Sequence, residues 1–159
     1  MNELLLLLRN NGRESLENLA AMLGCSAEEV QKQITKWEEE GVIRGYQAVI
    51  NEDATEADYV RAAIEVRITP ERGDGFDRIA MRIGRFPEVE SVFLMSGGYD
   101  LLVFVKGDNL RTVASFVNQR LATIEGVLAT ATHFTLKTYK DQGVLMQEEQ
   151  HDERLQVSP

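Results

Sequence analysis

The segment Glu90 to Asp108, ESVFLMSGGYDLLVFVKGD, constrains the fold of this chain more than any other stretch. Two short apolar runs, Val92 to Met95 and Leu101 to Val105, flank Ser96-Gly97-Gly98. Both runs are rich in β-branched and aromatic residues, and paired glycines supply the positive φ angles of a tight turn. The segment therefore predicts a β-hairpin, around which the neighbouring elements must build a sheet.

The second run of this hairpin is apolar at every position. Leu101, Val103 and Val105 point to one face of a strand, while Leu102 and Phe104 point to the other, so both faces have to be covered. The chain's own helices can cover one face, and a second copy of the sheet most simply covers the other. We favour this dimer over a strand that is buried wholly within a monomer.

The segments around the hairpin predict a complete small domain. Val60 to Thr69 alternates apolar and polar residues as a strand does, and Val127 to Tyr139 reads as a last strand. Residues 76–83 and 110–121 have the apolar spacing of helices. The order is β-α-β-β-α-β, which builds a four-stranded antiparallel sheet with both helices on one face and leaves the other face bare.

The first 40 residues predict three short helices, with Asn2, Ser15 and Ser26 as N-caps. Glu29 stands three residues after Ser26 and completes a capping box. The second and third helices are joined by a glycine-containing turn, and the extended segment 42–50 predicts a strand behind them. This arrangement is typical of a helix-turn-helix.

Composition and charge divide the chain into four parts. We predict a helix-turn-helix domain with its connecting strand at 1–50, an acidic linker at 51–59, a β-α-β-β-α-β domain at 60–141 and an acidic tail at 142–159. The net charge is −9, and the linker alone carries four acidic and no basic side chains. The tail has no consistent period, and a short turn around residues 144–146 is the only structure that we expect in it.

Several classes of protein are not expected from this sequence. The single Cys25 excludes an intramolecular disulfide, and the apolar run Leu4 to Leu8 is too short to cross a bilayer. We therefore expect a cytoplasmic protein without a membrane partner. Metal-ligand spacing, a nucleophile arrangement, a P-loop and a dinucleotide fingerprint are all lacking, so we expect no catalytic residues, no metal site and no cofactor.

From about Leu4 to Asp141, this ordered set of elements resembles the Lrp/AsnC family of bacterial and archaeal regulators, the feast/famine proteins. No single piece is specific, and the ordered set carries the resemblance. The most family-like pieces are Asn11-Gly12-Arg13, Leu19-Ala20, Glu39-Glu40-Gly41-Val42-Ile43, Gly45-Tyr46, Gly98-Tyr99-Asp100 and Leu136-Lys137-Thr138-Tyr139-Lys140-Asp141.

The resemblance implies an α+β protein with an N-terminal winged helix-turn-helix and a C-terminal ferredoxin-like, RAM-type sensor and oligomerisation domain. It implies a DNA-binding transcriptional regulator that assembles into dimers and higher oligomers such as octamers. A small effector, commonly an amino acid, would bind between dimers and change assembly and DNA affinity. The sequence does not identify the effector, the operator or the sign of regulation.

Carried over onto this sequence, the effector would bind at the hairpin turn and on the last strand. Glycine N–H groups can hold a carboxylate, and an aspartate can pair with an α-ammonium group. The alternative is that the glycines only make the turn and that the aspartate caps it. The implied effector-binding residues are Ser96, Gly97, Gly98, Tyr99, Asp100 and Thr132.

The third helix departs from the family pattern. Family members usually carry small hydroxyl residues at its start and paired arginines in its middle, whereas this chain has Glu28-Glu29 and then Lys32-Gln33. Because duplex affinity rests on neutralised phosphates, DNA binding is expected to be weak and strongly salt-dependent. The implied DNA-binding residues are Ser26, Gln31, Lys32, Gln33, Thr35 and Lys36.

The sequence leaves two alternative functions. One is a family member that has lost duplex binding and acts as an amino-acid sensor or as an oligomerisation partner of related regulators; the acidic N-terminal half favours it. The other is an enzyme that resembles sirohaem decarboxylases. Those proteins place arginine and histidine just after the helix-turn-helix, where this chain has Asn51-Glu52-Asp53, so we do not expect an enzyme.

Overall fold

The structure is a computed structural model that describes residues 2–55, 59–69 and 75–147. The chain forms two compact units, residues 1–50 and residues 51–159. Part of the predicted linker, residues 56–58, and most of the predicted tail, residues 148–159, lie outside the described residues. No helix in the described part of the chain is long and apolar enough to cross a membrane.

The N-terminal unit contains three helices, α1 (Glu3–Asn10), α2 (Leu16–Leu23) and α3 (Ala27–Glu39). Each begins at the predicted cap, because the side chains of Asn2, Ser15 and Ser26 accept backbone N–H groups of the first turn. The apolar stripes of the three helices meet in one core. Its buried members are Leu4, Leu8, Leu19, Ala20, Val30 and Ile34.

The segment after α3 was predicted as a strand, and this prediction is wrong for the single chain. Residues 42–50 belong to no strand. A strand requires a hydrogen-bonded neighbour, and the described part of this unit is otherwise helical. Ile43 packs against the helical core, whereas Val42 and Ile50 are exposed.

The C-terminal unit has the predicted β-α-β-β-α-β order: β1 (Val60–Ile68), α4 (Gly75–Ile83), β2 (Val89–Leu94), β3 (Leu101–Gly107), α5 (Leu110–Phe116) and β4 (Val127–Phe134). A π-helical turn, Val117–Leu121, extends α5. The sheet is antiparallel with the order β2-β3-β1-β4. The last strand ends at Phe134 rather than at Tyr139, because its partner β1 begins only at Val60, opposite the residues that follow Phe134.

Both helices pack on one face of the sheet, as predicted. Alternate residues of β1 and β3 are fully buried there, among them Ile64, Leu101 and Val103. From the helices, Ile79, Ile83, Val113, Phe116 and Val117 complete this core. We call this the covered face of the sheet, and the opposite side the open face.

The hairpin differs from the predicted tight turn. Met95 N–H donates to the carbonyl of Asp100 at 2.8 Å, which leaves a four-residue loop, Ser96 to Tyr99. Gly97 has a φ of 152°, whereas Gly98 has no positive φ. The loop is wide because Asp100 is also held to β1, where its N–H donates to the carbonyl of Val66 at 3.0 Å.

A second hairpin follows β4, formed by β5 (Lys140–Asp141) and β6 (Val144–Leu145). Gln142 and Gly143 have φ angles of 45° and 91°, which suits a two-residue turn between strands. Met146, directly after β6, is buried and accepts a hydrogen bond from Asn51 Nδ2 at 2.8 Å. The expectation of nothing more than a short turn in the tail is therefore wrong for residues 142–147.

Candidate DNA-binding and effector-binding sites

Helix α3 has one buried side and one outward side. At about 100° per residue, Val30, Ile34 and Trp37 fall on the same side, and all three belong to or pack on the core. Trp37 is half-buried and packs against this core. The side chains on the opposite side are exposed, and they are Glu28, Lys32, Thr35 and Lys36.

The predicted DNA-binding residues differ in how free their polar groups are. Gln31 Nε2 donates to Thr35 Oγ1 at 3.1 Å, so the polar groups of these two side chains are already hydrogen-bonded to each other. Lys36 Nζ lies 3.8 Å from Glu40 Oε1, but both side chains are more than half exposed, and such a pair is weak. Lys32 makes no ion pair with any described residue.

Gln33 and Ser26 are placed less favourably for reading bases. Gln33 is half-buried on the flank of α3, next to the apolar stripe. Ser26 is the cap of the helix: its N–H and its Oγ both lie 2.8 Å from Glu29 Oε2, and its Oγ accepts Glu29 N–H at 3.2 Å. The backbone and side-chain hydrogen bonds from Ser26 lower the pKa of the Glu29 carboxyl. The side chains of Ser26 and Glu29 are thus both engaged in capping the helix.

The loop between β2 and β3 is open. Ser96, Gly97 and Gly98 are exposed, and a Cβ atom on either glycine would meet nothing within 4 Å. Tyr99 is half-buried at the end of the loop. The backbone N–H groups of the two glycines are therefore accessible to a ligand.

Asp100 already has a role within the fold. Its Oδ2 accepts the backbone N–H of Ile68 at 2.8 Å, at the point where the pairing of β1 with β4 shifts register. A β-bulge leaves a backbone group without a ladder partner, and the carboxylate satisfies that group here. One oxygen of Asp100 therefore stabilises the sheet.

Thr132 lies apart from this loop within one chain. It pairs with Ile64, so its side chain lies on the covered face, and β1 separates it from the hairpin. The structure thus brings together Ser96 to Asp100 but not Thr132.

A charged cluster that the sequence analysis missed surrounds Arg61. Arg61 Nε lies 3.0 Å from Glu90 Oε2, and its Nη1 lies 3.5 Å from Glu52 Oε2 and 3.7 Å from Asp141 Oδ2. Burial raises the pKa of Tyr59 to about 12, with a hydrogen bond to Glu52 adding to the shift. The partners are 9 to 80 positions from Arg61 in the chain, so no local pattern could reveal the cluster.

The open face carries an apolar patch on the edge strand β2 and the neighbouring strand β3. Phe93 and Phe104 pack edge to face with ring centres 6.1 Å apart, yet 50% and 36% of their surfaces are exposed. Beside them, His133 Nε2 lies 3.3 Å from Glu65 Oε1. No helix within the described ranges packs on this side, and no group of His, Cys, Asp and Glu there could hold a metal ion.

Comparison with known proteins gives a consistent result. Residues 61–145 match the Lrp/AsnC ligand binding domain. An uncharacterised HTH-type transcriptional regulator of Bacillus subtilis (strain 168), YugG, is 46% identical over 158 residues, covering 99% of this chain and 95% of that protein. The leucine-responsive regulatory protein of Rhizobium meliloti (strain 1021) is 32% identical and covers 84% of this chain and 85% of its own length.

A solved structure adds a ligand to the comparison. The feast or famine regulatory protein from M. tuberculosis, complexed with L-methionine, has 26% sequence identity and a TM-score of 0.69, covering 91% of this chain and 95% of that one. The matching relatives are transcriptional regulators rather than enzymes, which confirms the expectation that this chain is not an enzyme.

Proposed function

This chain belongs to the Lrp/AsnC family of helix-turn-helix transcriptional regulators, and we propose that it binds operator DNA through the outward side of α3 and an amino acid at the β2–β3 loop. The observation that carries the proposal is that neither the outward side of α3 nor the β2–β3 loop is covered by other described residues. Lys32 extends from α3 without a partner among the described residues, and the glycine backbone of the loop is open.

The DNA contact through α3 is weak and salt-sensitive. Only Lys32 and Lys36 bring positive charge to this helix, and Glu28 and Glu29 stand in its first turn. Each neutralised phosphate releases counterions, so few cations give low affinity at physiological salt. Arg9, Arg13 and Arg44 are exposed on the same unit and add backbone contacts.

The effector is a small amino acid. The methionine complex of the M. tuberculosis relative supports this class of ligand. The N–H groups of Gly97 and Gly98 hold the carboxylate, and Asp100 Oδ1, which has no partner in the described part of the chain, faces the α-ammonium group. Thr132 lies on the covered face and apart from the loop of its own chain, so only the Thr132 of another subunit could contribute to this site.

Two copies of the chain pair through the open face. Phe93, Leu102 and Phe104 form an apolar centre there, with the Arg61 cluster at one border. Monomeric proteins rarely leave such a patch in water. Dimers then assemble into higher oligomers such as octamers, as the family resemblance implies.

The first experiment measures binding of the purified protein to its own upstream DNA across a salt series, with and without a pool of amino acids. We expect salt-sensitive binding that shifts with one amino acid. The double variant Lys32→Ala, Lys36→Ala should lose binding, whereas Lys140→Ala, which removes one positive charge from an exposed position of the C-terminal unit, should keep it. Unchanged affinity of the double variant would refute docking through α3.

A matched pair of glycine variants tests the effector site. Gly98 and Gly45 both lack a positive φ, and a Cβ on either meets nothing within 4 Å. We expect Gly98→Ala to weaken amino-acid binding, measured by calorimetry, because its Cβ would occupy the space through which a ligand approaches the loop backbone, and Gly45→Ala to leave binding unchanged. Equal affinities in the two variants would place the effector elsewhere.

Effector binding without DNA binding at low salt would indicate a sensor that acts through partner proteins.

A further inference from the structure

The first turn of α3 contains two neighbouring glutamates that the structure treats differently. Glu29 folds back onto Ser26, and its carboxylate accepts two hydrogen bonds at 2.8 Å. Glu28 is exposed on the outward side and contacts no polar group of the described residues. Only Glu28 therefore presents a free carboxylate from the end of α3 that enters the groove in helix-turn-helix proteins.

Lys32 follows Glu28 by one helical turn on the same side of α3. A glutamate and a lysine four residues apart can form an ion pair, but their charged groups do not come within 4.0 Å of each other here. Both head groups are thus free, in contrast to Gln31 and Thr35, which bond each other. The outward side offers one free acceptor next to one free donor.

The chemistry of the major groove gives this pair a partner. Glutamate accepts a hydrogen bond from the N4 amino group of cytosine, and lysine donates to O6 and N7 of guanine. The two residues are about 6 Å apart along the helix axis. In zinc fingers, residues of similar spacing on one side of a helix contact successive bases. The positive end of the helix dipole also lowers the cost of bringing a carboxylate to DNA.

We propose that Glu28 is a base-reading residue that selects cytosine, with Lys32 selecting a guanine in a neighbouring base pair. This inference rests on the proposed docking of α3 in the major groove. Glu28 then sets the operator sequence, and its negative charge rejects duplexes that offer only acceptors at that position. If Glu28 reads a base, removing its charge lowers the preference for one sequence. If Glu28 only repels phosphates, removing its charge raises the affinity for every duplex.

The test selects duplexes from a random-sequence pool with the full chain at low salt, using the wild type, Glu28→Ala and Glu28→Gln. We expect the wild type to enrich cytosine at one position beside a guanine. Glu28→Ala should lose that preference, so its discrimination between the selected duplex and one with another base at that position should fall roughly 5- to 150-fold. Glu28→Gln should change the preference from cytosine to adenine, because glutamine pairs with N6 and N7 of adenine.

Glu17→Ala is the matched control, since Glu17 is exposed in the first turn of α2 and its loss changes the charge equally. It should leave base preference unchanged. If Glu28→Ala instead raises affinity for every duplex by one factor, as a lost repulsion would, the base-reading role is refuted while docking of α3 stands. Absence of binding to any duplex by the wild type would refute both. Circular dichroism checks that the capping box and the fold survive.

Discussion

Along β3, the two faces of the sheet carry equally apolar residues but have different surroundings. On β3, Leu101 and Val103 are fully buried on the covered face, whereas 36% of the surface of Phe104 is exposed on the open face. The side chains do not explain this difference, because all of them are strongly hydrophobic. The chain supplies two helices to one face and no described helix to the other. Hydrophobicity thus indicates that a surface is to be covered, but not by which molecule.

The largest expected effect comes from a pair of neighbouring leucines. Leu101→Ala should lower the free energy of unfolding by about 2–5 kcal/mol, because it leaves a cavity in the covered face. Leu102→Ala, on the half-buried open face, should cost less in dilute protein, and its cost should grow with protein concentration. Urea denaturation at several concentrations measures both. Equal, concentration-independent losses would show that the two faces do not differ.

A charge placed on the open face tests what covers it. If two copies pair through the open face as proposed, Phe104→Asp should raise the Kd of that dimer at least about a hundredfold, because burying an unpaired carboxylate costs several kcal/mol. Analytical ultracentrifugation measures the change. Leu110→Asp is the control, since Leu110 is 56% exposed at the start of α5. A dimer that survives Phe104→Asp unchanged would mean that the open face is not the interface.

Variants of Asp100 test whether a predicted effector-binding residue also stabilises the sheet. Asp100→Ala should lower the free energy of unfolding by about 1–3 kcal/mol, because the N–H of Ile68 loses its acceptor. Asp100→Asn keeps an acceptor oxygen and should cost less. Urea denaturation without effector separates this structural role from ligand binding. If Asp100→Ala leaves the free energy of unfolding unchanged, this side chain does not stabilise the sheet, and ligand binding is its only remaining role.

The smallest expected effect concerns the ion pair on the open face. His133→Ala should change the free energy of unfolding by less than about 1 kcal/mol, because both partners are more than a third exposed and solvent screens their attraction. Glu65→Ala should behave alike. Thermal unfolding at low and high salt measures both variants. A loss well above this value would show that the open face is less solvated than its exposure indicates.

Sequence patterns predicted the sheet well where the signal was local. The alternation in β1 and the full apolar run in β3 identified which residues face each side, because a strand has a fixed period of two. The tight turn was mispredicted, since the loop geometry depends on hydrogen bonds between Asp100 and β1. Such contacts join residues more than 30 positions apart, and they leave no trace in the loop sequence.

The candidate sites show the same division. The family resemblance implied Lys32, Lys36 and Gln33 alike, whereas helical spacing puts the two lysines on the outward side of α3 and Gln33 on its flank, as their exposure shows. The β5–β6 hairpin has a local signal, because Gln142-Gly143 stands between the pairs Lys140-Asp141 and Val144-Leu145. The bond from Asn51 to the carbonyl of Met146 has none, since the two residues are 95 positions apart.

That bond, together with the Arg61 cluster, bears on how mechanical load enters the C-terminal unit. Tension transmitted along the backbone from residue 50 arrives at Asn51, which is tied to Met146 as well as to the next peptide. Through Glu52 and Arg61 it also reaches β2 and the β5–β6 hairpin. The load is therefore shared among β1, the edge strand β2 and the β5–β6 hairpin rather than carried by β1 alone.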